Sequence, residues 1–137
     1  MRNAEWKGSV GGVKLVVDMK NENLKMRTKR FALETIHLVE GLPAGETSRI
    51  LGRQLLRAGT SVGANYRAAC RARSNADFIS KMGIVEAEAD ECGYWLELLV
   101  DAGKVSGSVA APLVQEAGEL TAIAVASIQT ARRNRDQ

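Results

Sequence analysis

Five arginines, Arg49, Arg53, Arg57, Arg67 and Arg71, follow one another at intervals of four, four, ten and four residues. At about 100° per residue they line one side of a helix, provided that the helix runs unbroken through Gly59 and Gly63. A planar guanidinium fork matches phosphate oxygens two at a time, and several aligned forks make a polyanion site that salt weakens. These five are the candidate nucleic-acid-binding residues. The competing use is ion pairing with an acidic helix or a neighbouring subunit, which needs no nucleic acid. Tyr66 falls with the apolar residues on roughly the opposite side, so no stacking aromatic accompanies the stripe.

Other reactive residue types are thinly spread. Glu34-x-x-His37 is half of a di-iron carboxylate motif, but such a site needs a second Glu-x-x-His and two more carboxylates, and His37 is the only histidine. Glu86, Asp90 and Glu97 share a helix face and read as a solvated acidic surface rather than an acid–base pair. Glu91 interrupts an apolar stripe, where a carboxylate needs a cationic partner to offset its desolvation. An arginine from the preceding helix is the expected one. No glycine-rich phosphate loop follows a strand, and no nucleophile has a histidine to spare. The expectation is a non-enzyme with no cofactor and no metal.

The supporting elements are helical. Aromatics are only 4% of the 137 residues against 45% hydrophobic, so the core must be aliphatic, which favours helices over aromatic-rich strands. Cys70 and Cys92 have no metal-ligand spacing and read as free buried thiols, fitting a reducing cytoplasm. The apolar runs read as too short for a membrane span of about 20 residues, so no membrane partner is expected. The net charge of +3 hides an asymmetry: residues 1–73 carry +8, residues 74–101 carry −6 and the rest +1. Successive elements therefore pair with one another or leave one basic surface for a polyanion.

Residues 1–20 read as a loosely ordered tail, with Gly8, Gly11 and Gly12 breaking any helix and Val13 to Val17 forming an apolar run without a visible partner strand. Met19 and Met26 stand as alternative starts. Residues 21–137 read as one domain of four helices. The first runs from Asn23 or Thr28 to Glu40, the later start being favoured because Lys25, Arg27, Lys29 and Arg30 oppose the dipole of an earlier one. The second runs from Thr47 or Ser48 to about Arg73, with Gly59-x-x-x-Gly63 marking either a bend or a close approach of another backbone. The third opens at Ser74-x-x-Asp77, a capping-box pattern, and carries Phe78, Met82, Val85, Ala89, Cys92, Leu96 and Leu99 at 4-3 spacing. Its second apolar stripe includes Ile84, Tyr94, Trp95 and Leu98, the candidate oligomer interface, because one bundle core covers one stripe well. The fourth follows Ser106 or Ser108, with Leu113, Ala117, Leu120, Ala124, Ser127 and Ala131 inward. Short links favour an antiparallel up-down-up-down four-helix bundle, an all-α fold.

From about Phe31 to Arg135 the chain resembles the bacterial 23S rRNA-intervening sequence protein family, also called four helix bundle proteins. The resemblance lies in Gln54-Leu55-Leu56-Arg57-Ala58-Gly59-Thr60-Ser61-Val62-Gly63-Ala64-Asn65-Tyr66-Arg67. It continues in Ala76-Asp77-Phe78-Ile79-Ser80-Lys81, in Glu88 to Leu99 and in Leu120-Thr121-Ala122-Ile123. It implies a four-helix bundle assembled as a ring-shaped homo-oligomer, commonly a pentamer, with no established enzymatic activity. A related branch, the accessory variability proteins of diversity-generating retroelements, partners a reverse transcriptase and presents a basic surface to nucleic acid. Many members carry Pro where this chain has Gly63.

Together these readings give a non-enzymatic homo-oligomer that binds RNA or DNA, or a nucleic-acid-processing enzyme, through the basic second helix. The alternative is a protein-binding adaptor whose arginines are consumed by salt bridges.

Overall fold

The computed structural model describes residues 5–10, 13–18 and 23–136 of the chain. Residues 23–136 are four helices packed together: α1 (Leu24–Glu40), α2 (Glu46–Cys70), α3 (Asn75–Asp101) and α4 (Gly107–Arg135). Ahead of them, β1 (Glu5–Val10) and β2 (Val13–Asp18) pair antiparallel with Val10 opposite Val13. The apolar run at Val13 to Val17 thus has a partner strand, contrary to the sequence expectation. The signal was present, since Gly-Gly between two short runs is a favoured hairpin dipeptide. The rest of the expected loose tail lies outside the described residues.

Local chemistry sets each helix boundary. α1 starts at the earlier of the two expected positions: the Asn23 side chain accepts the Met26 amide at 2.9 Å. Gly41 closes the helix, its amide reaching the His37 and Leu38 carbonyls. α2 begins before Thr47, with Gly45 at φ +140° as its N-cap and no side-chain cap. Only glycine adopts that backbone freely. Ser48, the other expected cap, is instead buried, and its hydroxyl has no hydrogen-bond partner among the described residues. α2 ends at Cys70, three residues short of the expected Arg73.

α3 follows its pattern closely. The Ser74 hydroxyl accepts the Asp77 amide at 3.1 Å, and the Asp77 carboxylate accepts the Arg73 amide at 3.3 Å, a variant of the capping box displaced by one residue. Met82, Val85, Ala89, Cys92, Leu96 and Leu99 are all buried, while Phe78 is partly so. Past the last turn Gly103 has φ +73°, with Lys104 N donating to Leu99 O and Gly103 N to Val100 O. That pair of bonds is a Schellman closure. α4 is capped by Ser106, which accepts the Val109 amide. It turns Ile128 inward where Ser127 was expected, and the Ser127 hydroxyl is satisfied by the Ile123 carbonyl at 2.8 Å.

The core joins Phe31 of α1, Leu55 and Val62 of α2, the α3 seam, and Leu113, Leu120 and Ala124 of α4. α1 meets α2 at very short range. A Cβ added at Gly59 would lie 2.7 Å from Thr35 Cγ2, and one at Gly63 would lie 3.1 Å from Thr28 Oγ1. The two glycines mark the crossing of α1, and α2 is unbroken through both. Thr28 and Thr35 are buried there because each hydroxyl bonds back to its own helix, at Leu24 O and Phe31 O.

Candidate nucleic-acid interface

Because α2 is continuous, the arginine stripe exists, but its members meet different neighbours. Arg57 reaches across to α3, its Nη1 3.1 Å from Glu88 Oε2 and its Nη2 on Glu91. The carboxylate that interrupts the second apolar stripe of α3 is therefore held by an arginine of α2, as its position demanded. The two glutamates hold the Arg57 guanidinium above its ordinary pKa, the Glu91 hydrogen bond first. Arg49 pairs within its own helix with Glu46 at 2.5 Å, an exposed contact. Arg53, Arg67 and Arg71 are exposed and have no carboxylate partner among the described residues.

Two shallow grooves flank this surface near the end of α2. One of about 350 Å³ brings Lys25 and Lys29 of α1 beside Arg67, across Thr28, Gly63 and Ala64. Another of about 450 Å³ is lined by Ala68, Arg71, Arg73, Asp77 and Lys81. Lys81 pairs with Asp77 at 2.5 Å and holds that carboxyl below the usual range, with the Arg73 amide adding to the effect.

The four residues of the expected oligomer contact divide in two. Ile84 and Tyr94 are exposed, Tyr94 by 55%, whereas Trp95 and Leu98 are half-buried and Trp95 packs against the core. The Tyr94 and Trp95 rings meet edge-on at 5.1 Å. Trp95 Nε1 is buried with no hydrogen-bond partner among the described residues. α4 adds exposed Val109 and Val114, an apolar surface the sequence reading left out. α4 also corrects the statement that the apolar runs are too short: by length and composition it could cross a membrane, with an 18-residue window of mean hydropathy 1.2. Of that window 33% is buried, and α4 packs on α3 and carries Glu116 in a buried ion pair with α1.

That glutamate belongs to a cluster the sequence reading missed. Glu116, 1% exposed, takes both Arg27 Nε at 2.7 Å and Arg27 Nη2 at 2.9 Å. Arg27 also reaches Glu119 at 3.0 Å, and buried Arg30 lies between Glu34 at 3.0 Å and Glu116 at 3.7 Å. Hydrogen bonding to Glu116 raises the Arg27 pKa against the opposing effect of burial. These arginines explain the early start of α1: they bind carboxylates of α4 rather than facing the dipole alone. A signal existed, since Glu116 lies three residues after Leu113 and four before Leu120, on the inward face of α4.

The other candidates add little chemistry. Glu34 of the half-motif is engaged by Arg30 and His37 is exposed. Among the described residues no three His, Cys, Asp or Glu side chains are grouped to hold a metal. Cys92 is buried, and that burial, helped by Glu88 and Glu91, pushes its thiol up to about 12. Cys70 is exposed, against the expectation of two buried thiols. It lies past the last inward position of α2, Ala69.

The family model for the 23S rRNA-intervening sequence protein matches residues 20–126. The fold is similar to the crystal structure of a protein of unknown function from the S23 ribosomal protein family of Bacteroides thetaiotaomicron. The two are 33% identical, with a TM-score of 0.72 over 77% of this chain and 98% of that one. No curated protein matches the chain. Its four packed helices and the match over most of its length place it together with that structure: the chain belongs to the 23S rRNA-intervening sequence protein family.

Proposed function

We propose that the protein is a non-enzymatic, cytoplasmic, homo-oligomeric bundle that binds RNA or DNA, or a nucleic-acid-processing partner, through the basic surface of α2. One observation carries the reading: Arg53, Arg67 and Arg71 stay exposed without carboxylate partners among the described residues, although α3, the most acidic element, packs directly against α2. Ion pairing inside the subunit uses Arg57 and Arg49 and leaves the other three available. The helices run antiparallel in this reading, supported by the way Gly52, Gly59 and Gly63 of α2 meet Val39, Thr35 and Thr28 of α1 in descending order. Contact of Asn75 at the start of α3 with Ala131 near the end of α4 supports the same order.

The subunits close into a ring through the outer face of α3, where Ile84 and Tyr94 are exposed beside Trp95 and Leu98. Repetition of a weak basic site in each subunit multiplies its affinity. Fluorescence anisotropy with structured RNA and duplex DNA tests the binding. Affinity should fall steeply between about 50 and 200 mM salt, and absence of binding at low salt defeats the reading. Light scattering tests the ring: the native protein should be larger than a monomer, and Ile84→Asp with Tyr94→Asp should reduce its mass. A native monomer defeats that part. The adaptor alternative draws on the Arg57 pairing, and gains only if the unpaired arginines prove to hold the oligomer together.

A further inference from the structure

The unpaired cations of α2 are not evenly placed. Arg53 stands fourteen residues before Arg67, ~21 Å along the helix, with Arg57 between them tied to Glu88 and Glu91. Around Arg67 and Arg71, by contrast, other elements deliver more positive charge. Lys25 and Lys29 stand one turn apart on α1, and the close α1–α2 crossing at Gly63 carries them into the groove beside Arg67. Neither has a carboxylate partner among the described residues. They sit in the first two turns of α1, which has no acidic residue in its first turn, where the helix dipole disfavours cations. Helix stability therefore does not account for them.

On the other flank of the same turns, Arg71 and Arg73 line the second groove, where Lys81 already neutralises its one acid, Asp77. The Asn75 side chain donates to Ala131 O at 3.4 Å, which sets Arg132 and Arg133 of α4 at the adjoining corner. The residues lining the two grooves include no aromatic ring on which a base could stack. A surface of aligned cations without stacking partners suits phosphates rather than bases.

We propose that the sugar-phosphate backbone of a nucleic acid docks on the end of the bundle, across the last two turns of α2. Lys25 and Lys29 grip it on one side and Arg71 and Arg73 on the other. The proposal rests on the nucleic-acid reading above and narrows it to one end of the molecule. It adds residues of α1 and of the α2–α3 link that no stripe on α2 contains.

The test is a salt titration of binding by the full chain to a fluorescent RNA duplex and, separately, to a DNA duplex of the same length. Lys25→Gln with Lys29→Gln should weaken binding about tenfold at low salt and reduce the slope of log affinity against log salt by roughly two. Lys25→Arg with Lys29→Arg should keep the native affinity, and Lys104→Gln, in the link between α3 and α4, should stay within about twofold of it. The duplex bound more tightly identifies the source of the backbone. Native binding by the lysine-to-glutamine variant, or a loss with Lys104→Gln equal to that of the lysine pair, overturns end-on docking while leaving α2 as a binding helix. Failure of the native chain to bind either duplex defeats the nucleic-acid reading itself and the proposal with it.

Discussion

Arginines on two consecutive helices of this protein meet opposite fates. On α1, Arg27 and Arg30 are drawn inward onto Glu116, Glu119 and Glu34, with Glu116 almost wholly shielded from solvent. On α2, Arg53, Arg67 and Arg71 stay outside with no carboxylate partner among the described residues. Both sets recur at helical spacing, and both look alike in a linear count of charge. The difference comes from the facing helix. α4 offers a glutamate on its inward face between Leu113 and Ala117, whereas the acids of α3 reach only as far as Arg57. A buried charge is stable only with its partner, while an exposed one keeps its hydration and remains free to exchange it for a ligand. The α1 cluster is thus structural, and the α2 set is available for binding.

The largest effect expected from breaking this contrast is at Glu116. Glu116→Gln leaves Arg27 and Arg30 partly compensated by Glu119 and Glu34 but removes the carboxylate they share. The loss should be about 3 kcal/mol, a fall in Tm of roughly 10 °C for a domain of this size. Thermal denaturation measures it, and a change below about 1 kcal/mol would show that the cluster is not holding α1 to α4.

Next in size is the crossing that brings α1 and its lysines against α2. Gly59→Ala gains helix propensity but sets a methyl 2.7 Å from Thr35. Thr35 is buried and its hydroxyl is bound to Phe31 O, so it has little freedom to give way. The net cost should be about 1–2 kcal/mol. Gly118→Ala on α4, where nothing lies within 4 Å, should stabilise by up to ~1 kcal/mol. Urea titration of the pair reads both signs, and equal signs would contradict the close crossing.

A smaller effect lies beneath the Arg57 pairing. With its thiol pushed up to about 12, Cys92 keeps its proton in the folded chain at pH values where the unfolded thiol, titrating near 9, has lost it. The folded state then binds more protons, so stability is full below pH 9 and falls as pH rises from 9 toward 12. Cys92→Ala should flatten that fall. In the native protein a thiol reagent should label Cys70 readily and Cys92 only after denaturation, and equal labelling rates would contradict the burial of Cys92.

Much of this was legible from residue spacing. The α3 seam, its Ser74 cap and its Gly103 stop are local features in which pattern and structure agree, because a heptad and a cap need no knowledge of the rest of the fold. The partner of Glu91 was legible for a related reason: a carboxylate on an apolar stripe beside a basic helix has few ways to be satisfied. Glu116 obeys the same rule on α4 and was passed over. Its main partner, Arg27, lies 89 residues earlier in the chain, so neither local spacing nor the helix-start argument exposed it. The mixed surroundings of Ile84, Tyr94, Trp95 and Leu98 were also hidden, since a helical stripe fixes direction and not the depth of the neighbouring helix. Lys25 and Lys29 joined the α2 surface only once the crossing at Gly59 and Gly63 was known.

The central claim is that exposed Arg67 and Arg71 at the end of α2 bind nucleic acid while Arg57, paired with Glu88 and Glu91, is structural. The direct measurement compares Arg67→Gln with Arg71→Gln against Arg57→Gln, recording affinity for a structured RNA or duplex DNA and mass by light scattering on the same samples. The account predicts about a tenfold loss of affinity with unchanged mass for the first variant. For Arg57→Gln it predicts affinity within about twofold of native, since that residue is committed to Glu88 and Glu91. Native affinity in the Arg67 and Arg71 variant, or its collapse to a smaller species, would contradict the claim.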